Sequence, residues 1–560
     1  MLKSIANIGV IPRSSANIRM STPESRLERW RPQQHFSAHR HWINDPNGLV
    51  WFDGEYHLFF QYNPEGSTWG HMSWGHAVST DLVNWTELPV AIPEDSRAMA
   101  FSGSVVVDEH NTSGLGRPGE PVLVACFTAC LQPPAQRQVQ DLAYSTDRGR
   151  TWQRHAGNPV LDIGLKDFRD PKVFWHEPTA RWVMVVVLPD EREARFYGSP
   201  NLLQWTELSR FSAPLDGQGI WECPDLMELP TEGGLTVWMF KVDTFGGHPS
   251  GETGARLFFG HFDGVRFVPE ADDGAVRWAD WGSDFYAALS WSNLPKHTWK
   301  GAGVWLAWMS CHRYANQVPT EVWRGAMTLP RVLRAGRREG RWELVQEVIP
   351  QAATLRGTGH PFAGCRLAEV DPAVVLWTSS RAGEVGEGLE LHWSIEAIEA
   401  IEAFQPMQPH GEGEQDQANA DANLRGARPS PCAVLRLVAS SSAGLDALDP
   451  RAHVIEIGYD AGAQALFIDR SRSGVIPLDD ARYASRRWAP CRAPSSAQPL
   501  AIQVWWDESS IEVLADGGLV SLTEQVYPLG GHRRAECAVQ GGHALLGPTT
   551  AWPLRAARFA

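Results

Sequence analysis

Ser79-Thr80-Asp81-Leu82-Val83-Asn84-Trp85 returns, altered, as Ser145-Thr146-Asp147-Arg148-Gly149-Arg150-Thr151-Trp152 and again as Ser199-Pro200-Asn201-Leu202-Leu203-Gln204-Trp205. Each copy is a Ser, one residue, an Asp or Asn, a turn, and a Trp entering the next apolar run. Short polar side chains close such turns by hydrogen-bonding the backbone just ahead of them. Unrelated turns of this kind occur in any loop-rich chain, but they do not share the Trp that follows. The copies start roughly 50–70 residues apart, about one four-stranded propeller blade with its loops. Gly260-His261-Phe262-Asp263-Gly264-Val265-Arg266-Phe267 reads as a degenerate fourth copy. With the segments before and after, the repeat predicts about five blades.

The surrounding sequence agrees with strands. Leu49–Phe52 and Tyr56–Tyr62 flank Asp53-Gly54, a strong hairpin signal. Val173–Trp175 and Trp182–Leu188 form a second pair, and Leu235–Val242 and Val304–Met309 are further strand candidates. No long stretch has helical periodicity, so the region is all-β. The basic, Gly-containing run Arg331–Arg341 reads as the approach to a domain boundary. Beyond it, runs such as Leu389–Ile395, Ala433–Val438 and Ile502–Trp506 suggest a β-sandwich. The chain therefore divides into a tail (1–32), a five-bladed β-propeller (33–345) and a β-sandwich (353–560). The sandwich is interrupted from Ile395 to about Pro431, and residues 402–431 read as an exposed, disordered insertion because they carry almost no apolar side chains.

The chain has 560 residues, with 21% charged and 43% hydrophobic, ordinary for a globular protein of two domains. Its 26 Trp against 9 Tyr are not ordinary; they suit either β-rich cores or the stacking of flat sugar rings. A formal net charge of −15 disfavours nucleic acid or an anionic membrane as partner. The eight cysteines show no framework that suggests a zinc site or disulfides. No window of about 18 apolar residues appears, so no membrane span is expected. The apolar run near the N-terminus is broken by Asn7 and Pro12 and is weak as a signal-peptide core, which points to the cytoplasm. The oligomeric state is not legible.

Three stretches place a carboxylate next to a proline-pinned bend. They are Asn44-Asp45-Pro46-Asn47-Gly48, Asp167-Phe168-Arg169-Asp170-Pro171-Lys172 and Trp221-Glu222-Cys223-Pro224-Asp225. Proline forces the residue before it out of the helical region. Taken singly, each stretch reads equally well as an ordinary turn, a surface ion pair or a solvated strand end. Arg169 and Asp170, as neighbours in extended chain, are expected on opposite faces. Glu222, between Trp221 and Cys223, is expected in apolar company with a raised pKa, as a general acid requires. Propeller blades bring their innermost strands together around one axis, so carboxylates remote in sequence can converge. Two carboxyls flanking the scissile bond are the usual requirement of glycoside hydrolysis.

These motifs resemble those of glycoside hydrolase family 32, the invertase, levanase and inulinase group. Asn44–Gly48, Phe101-Ser102-Gly103-Ser104, Arg169-Asp170-Pro171 and Glu222-Cys223-Pro224 match its motifs in the family's order. Gln61–Pro64, Trp69–His76, Trp281-Gly282-Ser283-Asp284-Phe285-Tyr286, Ser509–Leu514 and Thr523–Pro528 agree as well. The resemblance spans roughly residues 33 to 560. It implies a five-bladed propeller followed by a β-sandwich, and hydrolysis with retention through a covalent fructosyl-enzyme. Carried over residue by residue, Asp45 is the nucleophile, Glu222 the acid/base and Asp170 the transition-state stabiliser gripping fructose hydroxyls. Arg169 is expected to keep Asp170 charged. Asn44, Gln61, Trp69, Phe101, Ser102, Trp281 and Asp284 are the remaining substrate-binding candidates. No metal or organic cofactor is implied, and the partner is a fructan or sucrose.

One stretch departs from the family. Its exo-acting fructanases carry Asn-Trp after the Met-Ser of a late propeller strand, where this chain has Trp308-Met309-Ser310-Cys311-His312. His312 is either a rim residue or a new substrate contact. The leading reading is an exo-β-fructosidase acting on levan, inulin or sucrose. A fructosyltransferase would use the same intermediate, and a non-catalytic fructan-binding protein should have lost one of the three carboxylates.

Overall fold

The Ser-x-Asx turns fall at one place in successive sheets. The computed structural model describes residues 28–213, 219–251, 253–270, 276–379, 387–400, 430–442, 447–477 and 482–560. Blade I comprises His41–Phe52, Glu55–Asn63, Ser73–Ser79 and Thr86–Ile92; blade II Ala98–Asp108, Val122–Leu131, Gln138–Ser145 and Gln153–Arg154. Blade III comprises Arg169–His176, Arg181–Leu188, Glu193–Ser199 and Thr206–Phe211; blade IV Ile220–Pro230, Thr236–Phe245, Thr253–Phe262 and Phe267–Pro269. Blade V comprises Tyr286–Ser290, Gly303–Trp308, Arg331–Arg338 and Arg341–Val348. The repeat is the turn between the third and fourth strands. Asp81 Oδ1 accepts from the amides of Val83 (2.9 Å) and Asn84 (2.7 Å), and Asn201 Oδ1 from those of Leu203 and Gln204 (3.1 Å each). Asp147 Oδ1 accepts from Thr151 N (2.9 Å), and Asp263 Oδ1 from Val265 N (2.8 Å) and Arg266 N (2.7 Å), so the fourth copy is genuine. The residue after the Asx has positive φ in all four: Leu82 65°, Arg148 63°, Leu202 65° and Gly264 88°.

The innermost strands of the five blades touch in a closed ring, I to II to III to IV to V and back to I. Trp323–Arg324 runs parallel along His41–Phe52, and Ser292 bridges to Val50. Central strands are apolar on both faces because each face meets a different blade. Val183, Val185 and Val187 pack towards blade IV with Phe240 and Val242. Met184, Val186 and Leu188 pack towards blade II with Val106 and Val124. Burial on both faces explains the near-continuous run Val183–Leu188, which no simple alternation would give. Asp53 (φ 46°) and Gly54 (φ 88°) make the tight hairpin that their identity promised.

Two stacked sheets follow. One contains Gly388–Ala400, Leu500–Trp506, Ser510–Ala515 and Val520–Gln525; the other contains His532–Gln540, Cys432–Ser440, His453–Asp460 and Ala465–Arg472. Leu391, Trp393, Val504, Trp506, Val513, Leu435, Leu437, Ile457 and Ile468 form the core between them. The fold is thus a β-propeller followed by a β-sandwich. The eight cysteines are free thiols. Among the described residues, no helix is long and apolar enough to cross a membrane.

Two expectations are corrected. The basic run Arg331–Arg341 is no approach to a linker; it lies in the outer hairpin of blade V, and Arg331 is wholly buried on Glu512, Asp280 and Ser521. The Ile395 repeat does not interrupt the sandwich, since strand pairing runs on to Ala400. Residues 401–429, and with them nearly all of the expected insertion, lie outside the described residues, as do residues 1–27 of the expected tail. The described end of that tail is docked: Arg31 is buried, and Trp30 Nε1 donates to Pro528 O at 2.6 Å.

The two domains are joined by buried charge. His35 is held between Asp507 (2.7 Å) and Glu512 (2.8 Å), and Glu512 in turn pairs with Arg331. Burial opposes charging the imidazole, but the two carboxylates outweigh it and lift its pKa to about 9. Because the folded value is raised, this stabilisation is complete below the unfolded value near 6.5 and is lost as pH rises through about 9. Thermal unfolding should therefore show Tm falling between pH 7.5 and 9.5. His35→Gln should lower Tm at pH 7 by ~5 °C or more and flatten that alkaline fall.

Candidate active site

Every innermost strand breaks register at the same level of the propeller. The breaks lie between Ile43 and Pro46, between Ala100 and Gly103, opposite Val185/Val187 next to Asp170, between Glu222 and Asp225, and between Tyr286 and Leu289. A β-bulge bends its strand and re-aims side chains. Asp170 (φ 65°), Cys223 (φ 45°) and Ala287 (φ 54°) take the left-handed conformation at these points. Such non-glycine residues cost about 1–3 kcal/mol each and need surroundings that hold them. Pro171 and Pro224 lie within bulges, where a missing N–H breaks no ladder bond, and Pro46 directly follows one. Gly103 is required by packing, as a Cβ there would lie 2.2 Å from Cys126 O.

The bulges open onto a pocket of about 390 Å³ at one end of the axis. It is lined by Trp42, Asn44, Asp45, Gln61, Trp69, Phe101, Ser102, Gln138, Asp167, Arg169, Asp170, Glu222, Tyr286, His312, Ala315 and Asn316. Asp45 accepts from Ser102 Oγ at 2.6 Å and from Asn44 Nδ2 at 3.0 Å. Asn44 is fixed in turn by Trp42 Nε1 at 2.7 Å. Asp170 is buried and accepts from Cys223 N at 2.9 Å. Cys223 Sγ lies 3.7 Å from an oxygen of Asp45 and 3.7 Å from one of Asp170. Glu222 Oε1 accepts from Arg169 Nη2 (2.9 Å) and Nε (3.1 Å), and its Oε2 accepts from the Tyr286 hydroxyl. The four family-like motifs thus converge.

The electrostatics differ from expectation in three respects. Arg169 and Asp170 both face the pocket, because the left-handed Asp170 breaks strand alternation. Arg169 grips Glu222 and not Asp170, from which its Nε is 3.9 Å away. Burial, with Glu222 and Asp45 close by, therefore lifts the Asp170 carboxyl to about 7 against the pull of Arg169. Glu222 is not in apolar company. Burial pushes its pKa up, but Arg169, His312 and the Tyr286 hydroxyl outweigh that and bring it below the usual value. The two neighbouring carboxyls are therefore shifted in opposite directions, Asp170 upward and Glu222 downward.

Trp281 and Asp284 lie outside the pocket, and this corrects their assignment as substrate-binding. Their segment pairs with the sandwich: Trp281 N donates to Ser521 O (2.8 Å) and Asp284 N to Thr523 O (3.2 Å). A Cβ on Gly282 would lie 2.1 Å from Thr523 O. Asp284 is wholly buried on Arg470 (2.7 Å), Gln525 N (2.7 Å) and Tyr314. The same motif does supply Tyr286, which the sequence reading left without a role. Gln138, Asp167 and Asn316 were missed as well. Asp167 sits in a motif already singled out, whereas Gln138, at the start of a strand, carries no signal.

An axial pocket lined by four carboxylates, Asp45, Asp167, Asp170 and Glu222, on a five-bladed propeller suits a glycoside hydrolase. The comparisons with known proteins agree and narrow it: residues 35–347 match the N-terminal domain of glycosyl hydrolases family 32, and residues 409–553 match its C-terminal domain. The chain belongs to glycoside hydrolase family 32. It is 37% identical over 532 residues to a levanase of Bacillus subtilis (strain 168), covering 94% of this chain and 71% of that one. It is 35% identical over 547 residues to an extracellular exo-inulinase of Aspergillus niger, covering 92% of each. Among solved structures, the exo-inulinase from Aspergillus awamori superposes with a TM-score of 0.79 at 31% identity, over 95% of this chain and all of that one. A β-fructofuranosidase from Schwanniomyces occidentalis, complexed with fructosyl-erythritol, gives 0.78 at 28% identity over 95% and 98% of the two chains.

The raised pKa of Asp170 has a measurable consequence. The folded state penalises its ionisation, so stability is lost as pH rises from the unfolded value of 3.8 towards about 7. Asp170→Asn should raise Tm at pH 8 by a few degrees and give no gain at pH 4, as differential scanning fluorimetry at the two pH values can show.

Proposed function

We propose that the chain is a retaining exo-β-fructosidase, releasing terminal non-reducing β-D-fructofuranosyl residues from fructans and from sucrose. The observation that carries this is the axial pocket in which Asp45, Asp170 and Glu222 meet, on elements from three different blades. The resemblance to proteins named levanase and exo-inulinase supports the substrate class. A pocket, as opposed to an open cleft, suits attack on chain ends.

In this reading Asp45 attacks the anomeric carbon of the bound fructosyl unit. Ser102 and Asn44 hold its carboxylate in place for that attack. Glu222 gives its proton to the departing oxygen as the glycosidic bond breaks, leaving a fructosyl ester on Asp45. Water then attacks the ester, Glu222 takes the water's proton, and fructose leaves with its configuration retained. Sugar hydroxyls donating to Asp170 favour its ionised form. Arg169 then balances the negative charge that remains. Tyr286 stays protonated, its phenol pushed well above the ordinary value by burial and by Glu222, and so remains a donor to the acid/base.

Product analysis on sucrose, inulin and levan side by side tests this directly. Free fructose should dominate from inulin and levan, and fructose and glucose should appear in equal amounts from sucrose; dominant oligofructan at high sucrose would overturn hydrolysis in favour of transfer. Asp45→Asn should lower kcat by at least ~10³-fold, and Glu222→Ala by about 10²–10⁴-fold. The pH profile of kcat/KM should change slope near 7, where the buried Asp170 carboxyl ionises.

A further inference from the structure

The loop after the second strand of blade V faces two ways. On one side His312, Ala315 and Asn316 line the pocket mouth. On the other, Ser310 and Tyr314 are buried against the β-sandwich. Ser310 Oγ donates to Gln525 Oε1 at 3.3 Å, and the Tyr314 hydroxyl donates to Asp284 Oδ1. Arg470, on the sandwich strand Ala465–Arg472, donates to Tyr314 Oη (3.1 Å), Asp284 Oδ2 (2.7 Å) and Gln525 O (2.8 Å), and pairs with Glu524 at 2.8 Å. The backbone that carries His312 is therefore located from the second domain.

His312 stands where the unit beyond the scissile bond must lie. Exposure climbs from the pocket floor, with Gln61 at 2%, Asn44 at 5% and Asp170 at 7%, to the mouth, where Trp69 reaches 47%. A chain end enters towards the floor and the rest of the substrate stays at the mouth. The His312 side chain is 36% exposed, and its Nε2 lies 3.9 Å from Glu222 Oε2, the carboxyl assigned to the departing oxygen. That gap is too long for a direct hydrogen bond and leaves the imidazole able to meet a sugar hydroxyl. Tyr286, Trp308 and Phe245 pack around the ring with centroids at 5.0, 5.3 and 5.5 Å and fix its plane.

We propose that Tyr314 is a positioning residue through which the β-sandwich holds His312 against the leaving sugar, so that the second domain sets which leaving groups the pocket accepts. This rests on the β-fructosidase reading. A double-mutant cycle of Tyr314→Phe and His312→Ala, with steady-state kinetics on 1-kestose, tests it. Tyr314→Phe keeps the ring and leaves Asp284 with Arg470 and the Gln525 amide, so the fold has its remaining contacts. It should raise KM about fivefold with kcat within twofold, and the double variant should be no worse than His312→Ala alone. A wild-type KM in Tyr314→Phe, with or without a lower Tm, or a double variant showing the product of the two single effects, overturns the proposal. Arg470→Lys is the second route to the same break and should give the same KM-selective loss if Tyr314→Phe fails to fold. If the wild-type chain releases no fructose from 1-kestose or sucrose, the fructosidase reading itself falls. Fructose release with an additive cycle overturns this inference alone.

Discussion

The site depends on a defect repeated five times. Each innermost strand carries a bulge at one level of the propeller, and a bulge frees backbone groups that burial would punish. Polar side chains satisfy them, from the same blade or from another. Asn47 Oδ1 takes the Gly103 amide (3.1 Å), and Ser104 bridges Pro171 O (2.8 Å) and Val173 N (2.9 Å). Thr128 Oγ1 takes the Asp170 amide (3.0 Å), and Asp170 takes the Cys223 amide (2.9 Å). Lys241 reaches Cys223 O at 2.7 Å, and Lys172, itself buried, links Ser290 O (2.9 Å) with Asp225 (3.2 Å). The contacts that align the catalytic candidates are thus the contacts that seal the blades. Perturbing one bulge should disturb its neighbours, because the ring has no edge on which to relax.

The charge arrangement follows from the same crowding. Carboxylates that converge on one pocket from blades I, III and IV cannot all ionise cheaply, and the guanidinium of Arg169 lies among them. Its direction decides the outcome. By pointing at Glu222 it leaves Asp170 to carry the cost of burial, so the carboxyl meant to bind sugar hydroxyls is the one whose pKa is raised.

Much of this was legible in the sequence, for identifiable reasons. Asp81, Asp147, Asn201 and Asp263 announce the blades because an Asx turn is a local structure, closed by atoms within four residues. Asp45, Asp170 and Glu222 were legible through their prolines, which mark the bulges. What failed was non-local. Arg169 was assigned to its sequence neighbour, whereas a left-handed residue and a partner on the next blade decide its direction. Arg331 looked like a linker charge because nothing nearby shows that Glu512 and Asp280, from distant segments, will bury it.

Asp284 makes the remaining point. The motif match assigned the residue to substrate, but its place in the fold gives its carboxylate other partners. Its carboxylate is consumed by Arg470, the Gln525 amide and Tyr314, all outside the pocket. The motif Trp281–Tyr286 is a joint: its first residues pair with a sandwich strand and its last reaches Glu222. A substitution at such a joint can alter catalysis without touching sugar, because it moves Tyr286 on one side and the loop bearing His312 on the other. A joint of this kind also gives the β-sandwich a reason to be fused to the propeller. The pocket floor is built by the five blades alone, whereas the side of the mouth that carries His312 and Asn316 is built on a loop whose underside belongs to the second domain.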